Sequence, residues 1–573
     1  MSLCIWLPLT GHLNNQGISS ITVSNLNATV ASDGKLGQCY NFNGSSSRIY
    51  NDNVSLSNDA MSGTCWVKLS ALTRGYLFSL GGNSSVTGAY QQIGIWLETN
   101  GHPWVCGMGS ELDSGYTLTT NKWYHVCMTY SGSTSKLYID GLLVFTGTNK
   151  NTKQTRTKFC VGARSNTDTG ASAGISLPLN GKLNDVRIYD HCLSPKEVEI
   201  LSHGLLIHYP LGNNGSGCEN KLKNSNFLQG PTGLDGYVAN SGTTCTKQDD
   251  CMKIVGTQTT SGIYTSNYDT IATDTMTTFS AYVKSDSNMT IYIGTDGSGT
   301  GNCKEYSIGT SWEKISISKA KTTNNANLRI YGKGTFYAKQ LKYELGSIPT
   351  PWLPNSSDTA YTSMGYNSTT EFDVSGYGYH GTRINSPTFS SDTPRYSVST
   401  HFDPGSNTAA TASYIQLPAL TLDFTKISFS IWGKWDTARN WSRAWEFGEK
   451  QEGKGYDLTL GAGGNGTTLS VGGRISGSAL PDTSVQTISL ATWYHIVTTV
   501  DDTTCKTYVN GSLVKTFTFN SAFSTATPMN YNYIGRSNWS GNQYLNGNMS
   551  DFRVYTTVLS AQDVLDLYNK TMH

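Results

Sequence analysis

The sequence predicts an all-β protein built from two homologous domains and a third, smaller β-sandwich. Three observations carry this. The stretch WYHVCMTYSGSTSKLYIDG (123–141) returns without a gap as WYHIVTTVDDTTCKTYVNG (493–511). Both copies alternate apolar with polar residues, and period two marks a half-buried strand because successive side chains point to opposite faces. Composition agrees: charged residues make up only 14%, against 60 Gly and 33 Tyr, and Ser, Thr and Asn fill the gap. At 573 residues the chain is also too long for one core.

Each copy reads as a strand, a polar turn and a second strand. Asp140-Gly141 or Asn510-Gly511 then suits a type I′ turn, which needs positive φ at both central residues. A third strand follows, LLVFTG in one copy and SLVKTFTF in the other. Cys65-Trp66 matches Ile431-Trp432, and LNGKLNDVRIY (179–189) matches LNGNMSDFRVY (545–555). A helix start comes after each of the latter: Ser194-Pro195 before KEVEILS, and Ser560 before AQDVLDLY.

One echo sets the domain layout. IWLPL (5–9) resembles IHYPL (207–211), yet the second copy resumes only after 355, with EFDVSGYGYHG (371–381) and HFDPGSNT (401–408). The expected order is a first domain at 1–203 and the first strand of the second at 204–217. An insert at 218–354 follows, then the remainder of the second domain at 355–573. The strand at 205–211 should pair across the insert with the one near 551–555. The insert itself alternates throughout and is punctuated by Gly, which a small β-sandwich explains.

A net charge of +1 with no Lys/Arg run gives nucleic acid or an anionic membrane no electrostatic hold, and no stretch is long and apolar enough for membrane insertion. Neutral polar ligands, sugars above all, fit better. The start MSLCIWLPLTGHLNN lacks the basic and long apolar regions of a signal peptide, so synthesis in a cytoplasm is expected. Of the twelve cysteines, Cys65 and Cys127 stand where the second copy has Ile431 and Val497, which makes them small hydrophobes. Cys245 and Cys251 are the locally plausible pair.

The run W-Y-H-V, then L-Y-I-D-G, then G-K-L-N-D-V-R-I-Y-D resembles the LamG-like group of concanavalin A-like lectin/glucanase domains, twice over. That implies two jelly-roll sandwiches of antiparallel sheets. The insert resembles a carbohydrate-binding-module jelly roll through its NxxFxxG opening, AYVKS and the closing TPWLPNSSD. The IWLPLTG start and the K-x-E-x-G-x-x-x-T-P-W-x-P run ending at Pro354 resemble structural or tail-associated proteins of gut bacteriophages. The resemblance implies a non-enzymatic virion protein that binds carbohydrate or a host-surface glycan and contacts other virion proteins. Two alternatives stand beside it: a decoration protein making only protein contacts, and the accessory carbohydrate-binding region of a bacterial carbohydrate-active protein.

The glucanases of this class carry paired acids on one strand face. Glu371-Phe372-Asp373 is followed by no second glutamate, and Glu446 and Glu449 fall on opposite faces of one strand, so neither makes that dyad. His125 and His495 recur without a Ser or Cys partner and read as structural. Sugar sites use aromatic faces with a few polar groups. Trp441 and Arg443 are expected in a loop that is longer in the second copy, with Trp435 and Trp445 at strand positions. Trp539 and Tyr544 lie in the Gly/Asn loop RSNWSGNQYLNG and are expected to be exposed. In the first domain His102, Trp104 and Tyr116 are the counterparts. The tryptophans of 434–448 have a second reading as caps on the core. Trp66 and Trp432 recur and read as architectural. Asp185 and Asp551 recur before the last strand, where the family uses acids for structural calcium. Two aspartates supply too few of the six to eight oxygens calcium takes, so no site is assigned.

Overall fold

The computed structural model describes residues 3–569 apart from 18, 20, 58–59, 83–91, 106–110, 149–154, 166–169, 212–219, 224, 226, 228–235, 249–250, 266–272, 274–275, 296–298, 311, 323–326, 346–368, 396–397 and 481–483. The domain junctions near 217 and 354, and the TPWLPNSSD run, lie outside the described residues. Among the described residues every main layer is an antiparallel sheet. The first domain stacks two eight-stranded sheets, and the second stacks an eight-stranded sheet on a nine-stranded one. Two five-stranded sheets form the segment between them.

The repeated stretch forms a central hairpin in each domain. Trp123–Ser131 pairs with Thr134–Ile139, and Tyr494–Asp501 with Thr504–Val509. Asp140 and Gly141, like Asn510 and Gly511, have positive φ, as a type I′ turn demands. The side chains of Asp140 and Asn510 also accept the backbone N–H of His125 and His495, at 2.8 and 2.9 Å. Each imidazole is buried against a tryptophan, Trp66 or Trp432, and hydrogen-bonds Thr64 or Ser430 on the neighbouring strand. Burial pushes both histidines down to about 3, so they stay neutral. Their role is architectural.

The IWLPL and IHYPL echo has a structural cause. The strand Leu3–Leu7 lies against the end of Asn180–Tyr189, and Leu205–Tyr209 lies against the end of Gly547–Tyr555. Each long strand is shared along one edge by two short strands. They meet at a bulge where Asp185 or Asp551 takes positive φ. The bulge N–H donates to the carbonyl of Pro8 or Pro210, both at 3.0 Å, and the following Leu9 or Leu211 is buried in a left-handed conformation. A bulge re-aims its side chain. Here it swings the aspartate back onto the first strand, where Asp185 accepts from Trp6 Nε1 (2.6 Å) and Asp551 meets His208 Nε2 (2.9 Å). Arg187 and Arg553 complete the pairs. Both carboxylates are therefore committed to protein donors, and the calcium role implied for them by resemblance has no support in this geometry.

The two helices begin as the sequence indicates. Ser194 caps Pro195–Ser202 and Ser560 caps Ala561–Tyr568, each with a reciprocal capping box through Glu197 or Asp563. Among the described residues no two cysteines are joined in a disulfide, and Cys245 and Cys251 do not bridge each other. No helix among the described residues is long and apolar enough to cross a membrane.

The segment between the domain parts has its own core, with Ile254, Phe279, Ile291, Ile315, Ile330 and Phe336 at its centre. Its ends are stitched together: Lys221 N–H donates to the Tyr343 carbonyl, while Asn220 bridges Leu341 and Tyr343 through its side-chain amide. Adjacent ends are what let a sandwich interrupt another domain without stretching it. The two larger domains also share an interface. Arg187 lies 4.2 Å over the Trp6 ring and donates to Tyr377 Oη, and Tyr379 Oη donates to the Leu36 carbonyl. Gly376 (φ +96°) is required there, since a Cβ would sit 2.0 Å from the Trp6 ring.

Candidate functional site

The nine-stranded sheet of the second domain has two chemically distinct faces. Trp445, Phe447, Leu458, Leu460, Leu469 and Val471 point into the core. Alternation then puts Glu446, Asp457 and Arg474 on the outer face, because Asp457 pairs with both Gly448 and Arg474 in register. Tyr533 joins them opposite Glu446.

A bulge between Arg443 and Trp445 changes the local parity. In a regular strand Arg443 and Glu446 would face opposite ways; here Arg443 Nε lies 3.5 Å from Glu446 Oε2. Ser537 Oγ donates to the same carboxyl at 2.9 Å, and Trp539 Nε1 donates to Asp457 Oδ2 at 3.2 Å. Arg474 lies 4.7 Å over the Trp539 ring. Beside this network Arg536 stacks between Tyr414 and Tyr533, and Tyr544 packs 6.2 Å from Tyr414. Loops bind the rim together through Arg439 to the Tyr544 carbonyl and Asn440 N–H to Gln543.

The four residues picked from the sequence in this domain therefore reach one connected face, with corrections to three of them. Trp441 is the exposed loop residue expected, at 47% exposure, and it has a φ of +56°. For a bulky side chain that conformation is strained, and it holds the indole beside Arg443, 5.6 Å from the ring. Arg443 is not in the loop: it opens the strand Arg443–Gly448 and is only 8% exposed, because the bulge turns it onto Glu446. Trp539 and Tyr544 are half-buried rather than exposed, since Arg474 and Asp457 hold the one and Tyr414 and Asn407 the other.

Sequence reasoning missed Asp457. Burial and the neighbouring Asp457 carboxyl push Glu446 up from the usual carboxylate range, and burial pushes Asp457 up as well. A proton is thus retained on this pair near neutrality. The folded state holds the Glu446 proton more tightly than the unfolded chain, so its stabilisation is full below 4.5 and is lost as pH rises to about 8. Glu446→Gln cannot ionise, so its stability relative to wild type should rise as pH goes from 4.5 to 8. Melting curves of both proteins across that range check this. A constant difference at every pH would remove the shared proton.

The first domain offers a simpler face. Tyr76, Trp96 and Trp104 stand side by side on three adjacent strands, with centroids 5.3 and 5.7 Å apart. Trp104 lies within the strand Pro103–Val105 and is half-buried, whereas Tyr116 is exposed on the following loop. His102 is held by Asp113 at 3.0 Å.

Comparison with known proteins fits this architecture. The profile of the concanavalin A-like lectin/glucanases superfamily (Laminin_G_3) matches residues 43–199 and 408–565, more than half of the chain. The chain belongs to that superfamily. Both matches fall on the larger sandwiches, so each face described above belongs to a superfamily domain. No curated protein matches the chain. Among solved structures, domain 4 of AbnA, a GH43 extracellular arabinanase from Geobacillus stearothermophilus in complex with arabinotriose, is 20% identical. The match covers 34% of this chain and 91% of that one, with a TM-score of 0.28. The CBM22-1 xylan-binding domain of Paenibacillus barcinonensis Xyn10C is 15% identical over 23% of this chain and 98% of its own, TM-score 0.19. The Ruminococcus gnavus IT-sialidase CBM40, bound to α2,3-sialyllactose, is 12% identical over 27% and 97%, TM-score 0.22.

Proposed function

We propose that the chain is a non-enzymatic glycan-binding protein of a bacteriophage virion, with the outer face around Trp441 as its principal sugar site. The observation that carries this is Trp441 itself: a large apolar ring kept exposed by a strained backbone, beside a buried arginine and a carboxyl network. An exposed indole held in place by Arg443 behind it suits the C–H face of a sugar. In the first domain the half-buried Trp104, backed by the buried Trp96 and Tyr76, is the second aromatic candidate. The absence of catalysis is supported by the acids themselves. Glu446 and Asp457 are fully buried beneath their partners, and Glu371 is paired with Arg383, so none faces a substrate. The virion assignment, with host-surface glycans and other virion proteins as partners and synthesis in a host cytoplasm, rests on the IWLPLTG and KYELGSIPTPWLP resemblances.

A glycan array with the full chain should give a restricted set of ligands. Trp441→Ala should weaken those ligands about 10- to 30-fold, equivalent to about 1.4–2 kcal/mol, with an unchanged melting curve. Retained affinity in that variant would move the site elsewhere. Product release from any bound polysaccharide would overturn the non-enzymatic reading.

A further inference from the structure

Away from both sheet faces, the helix that closes the first domain meets the helix that closes the chain. Glu199 lies in Pro195–Ser202, and His203 is that helix's C-cap, still in the helical region of φ and ψ. Residues four apart share one side of a helix, so the carboxylate and imidazole look the same way. Asp563 comes from the first turn of Ala561–Tyr568. One ligand atom from each of the three residues falls within 4.8 Å of the other two.

The hydrogen bonding around this cluster is incomplete. Asp563 uses Oδ2 to accept from Ser560 N and Oγ, at 2.9 and 2.7 Å. Its other oxygen, Oδ1, is buried, has no hydrogen-bond partner and lies 3.4 Å from His203 Nε2. The His203 Nδ1 atom is likewise buried without a hydrogen-bond partner. His203 and Asp563 are only 8% and 4% exposed. A buried acceptor without a donor is costly, and two carboxyl groups converge on the imidazole at this junction. Lys196 meets Glu199 at 3.3 Å, but it is shared with Asp566 and does not reach the orphaned oxygen.

We propose that Glu199, His203 and Asp563 bind a divalent transition-metal ion, zinc or one of its first-row neighbours, which ties the end of the first domain to the C-terminal helix. Two ligands bound at about 2.0–2.1 Å in a tetrahedral site lie roughly 3.3 Å apart, and His203 Nε2 and Asp563 Oδ1 already hold that spacing. An imidazole among the ligands favours such ions over calcium or magnesium, which take oxygen. Glu199 is half-exposed, so a water completes the fourth position. Unlike the recurring Asp185 and Asp551, this cluster draws its members from both domains.

The test uses the full chain, stripped with chelator and with accessible thiols alkylated so that cysteines cannot compete. Titration with Zn²⁺ should show one site per chain and raise the melting temperature. Co²⁺ should give visible absorption without a thiolate charge-transfer band. Glu199→Gln, at a half-exposed position that leaves the fold intact, should weaken zinc more than about 100-fold, and His203→Gln should do the same. No stoichiometric site in the wild-type chain, or equal zinc affinity in Glu199→Gln, would overturn the proposal.

Discussion

A fragment beginning at 355 is expected to show no cooperative unfolding and to aggregate, whereas one spanning 204–573 folds. The missing piece is short, but it is central. Leu206, Ile207, Tyr209 and Leu211 are all fully buried in the core of the second domain. Each such side chain contributes about 1.5–3 kcal/mol, so the four together contribute roughly 6–12 kcal/mol. That is comparable to the whole stability of a typical domain, about 5–15 kcal/mol. The strand Leu205–Tyr209 is also held from two sides. It pairs with Gly547–Tyr555, while Val374 N–H donates to the His208 carbonyl and His208 N–H to Asp373. Its removal exposes an unpaired edge, which invites association. In the intact chain, Ile207→Asn should lower the melting temperature of the same domain. Equal stability of the 355–573 and 204–573 fragments would show that the strand is dispensable.

That strand was legible in the sequence because an isoleucine, a proline and a leucine repeat at one spacing, and the structure gives each of them work: Ile5 and Ile207 are buried in the cores. The Pro8 and Pro210 carbonyls accept the bulge N–H, and Leu9 and Leu211 fill the core from a left-handed backbone. The type I′ turns and the helix caps were legible for similar reasons, since each depends on residues within a few positions of one another. The outer face was legible only in part. Trp441 stands out as a loop aromatic, but Asp457 lies on the next strand, and only the register brings it beside Glu446. Arg443 was misplaced because no local signal announces the bulge that turns it inward. The row Tyr76, Trp96 and Trp104 combines three strands, and the cluster Glu199, His203 and Asp563 combines two helices more than 350 positions apart. Neither has a local pattern to find.

Replacing Asp551 by Asn should cost the second domain about 3–5 kcal/mol, which for a domain of this size means roughly 10 °C in melting temperature. Asp551 sits fully buried between two guanidiniums, with Arg553 Nε at 2.8 Å from one oxygen and Arg395 Nε at 2.9 Å from the other, and His208 Nε2 also meets it. An amide keeps the shape but removes the charge that both arginines face, and burial makes that loss expensive. Asp185→Asn should cost less. Its partner Arg187 is more exposed, at 13% of its side chain, and also stacks on Trp6 and donates to Tyr377. The pH dependence separates this from a packing defect. Burial alone would raise the Asp551 pKa, but Arg553, His208 and Arg395 together hold it well below 3.8. A depressed carboxylate contributes stability that is present above its unfolded value and is lost only as pH falls through the folded one. The gap between wild type and Asp551→Asn should therefore stay constant above about pH 5 and narrow only in strong acid. A gap that closes near neutral pH, or none at all, would mean that the buried carboxylate does not hold the bulge to the first strand.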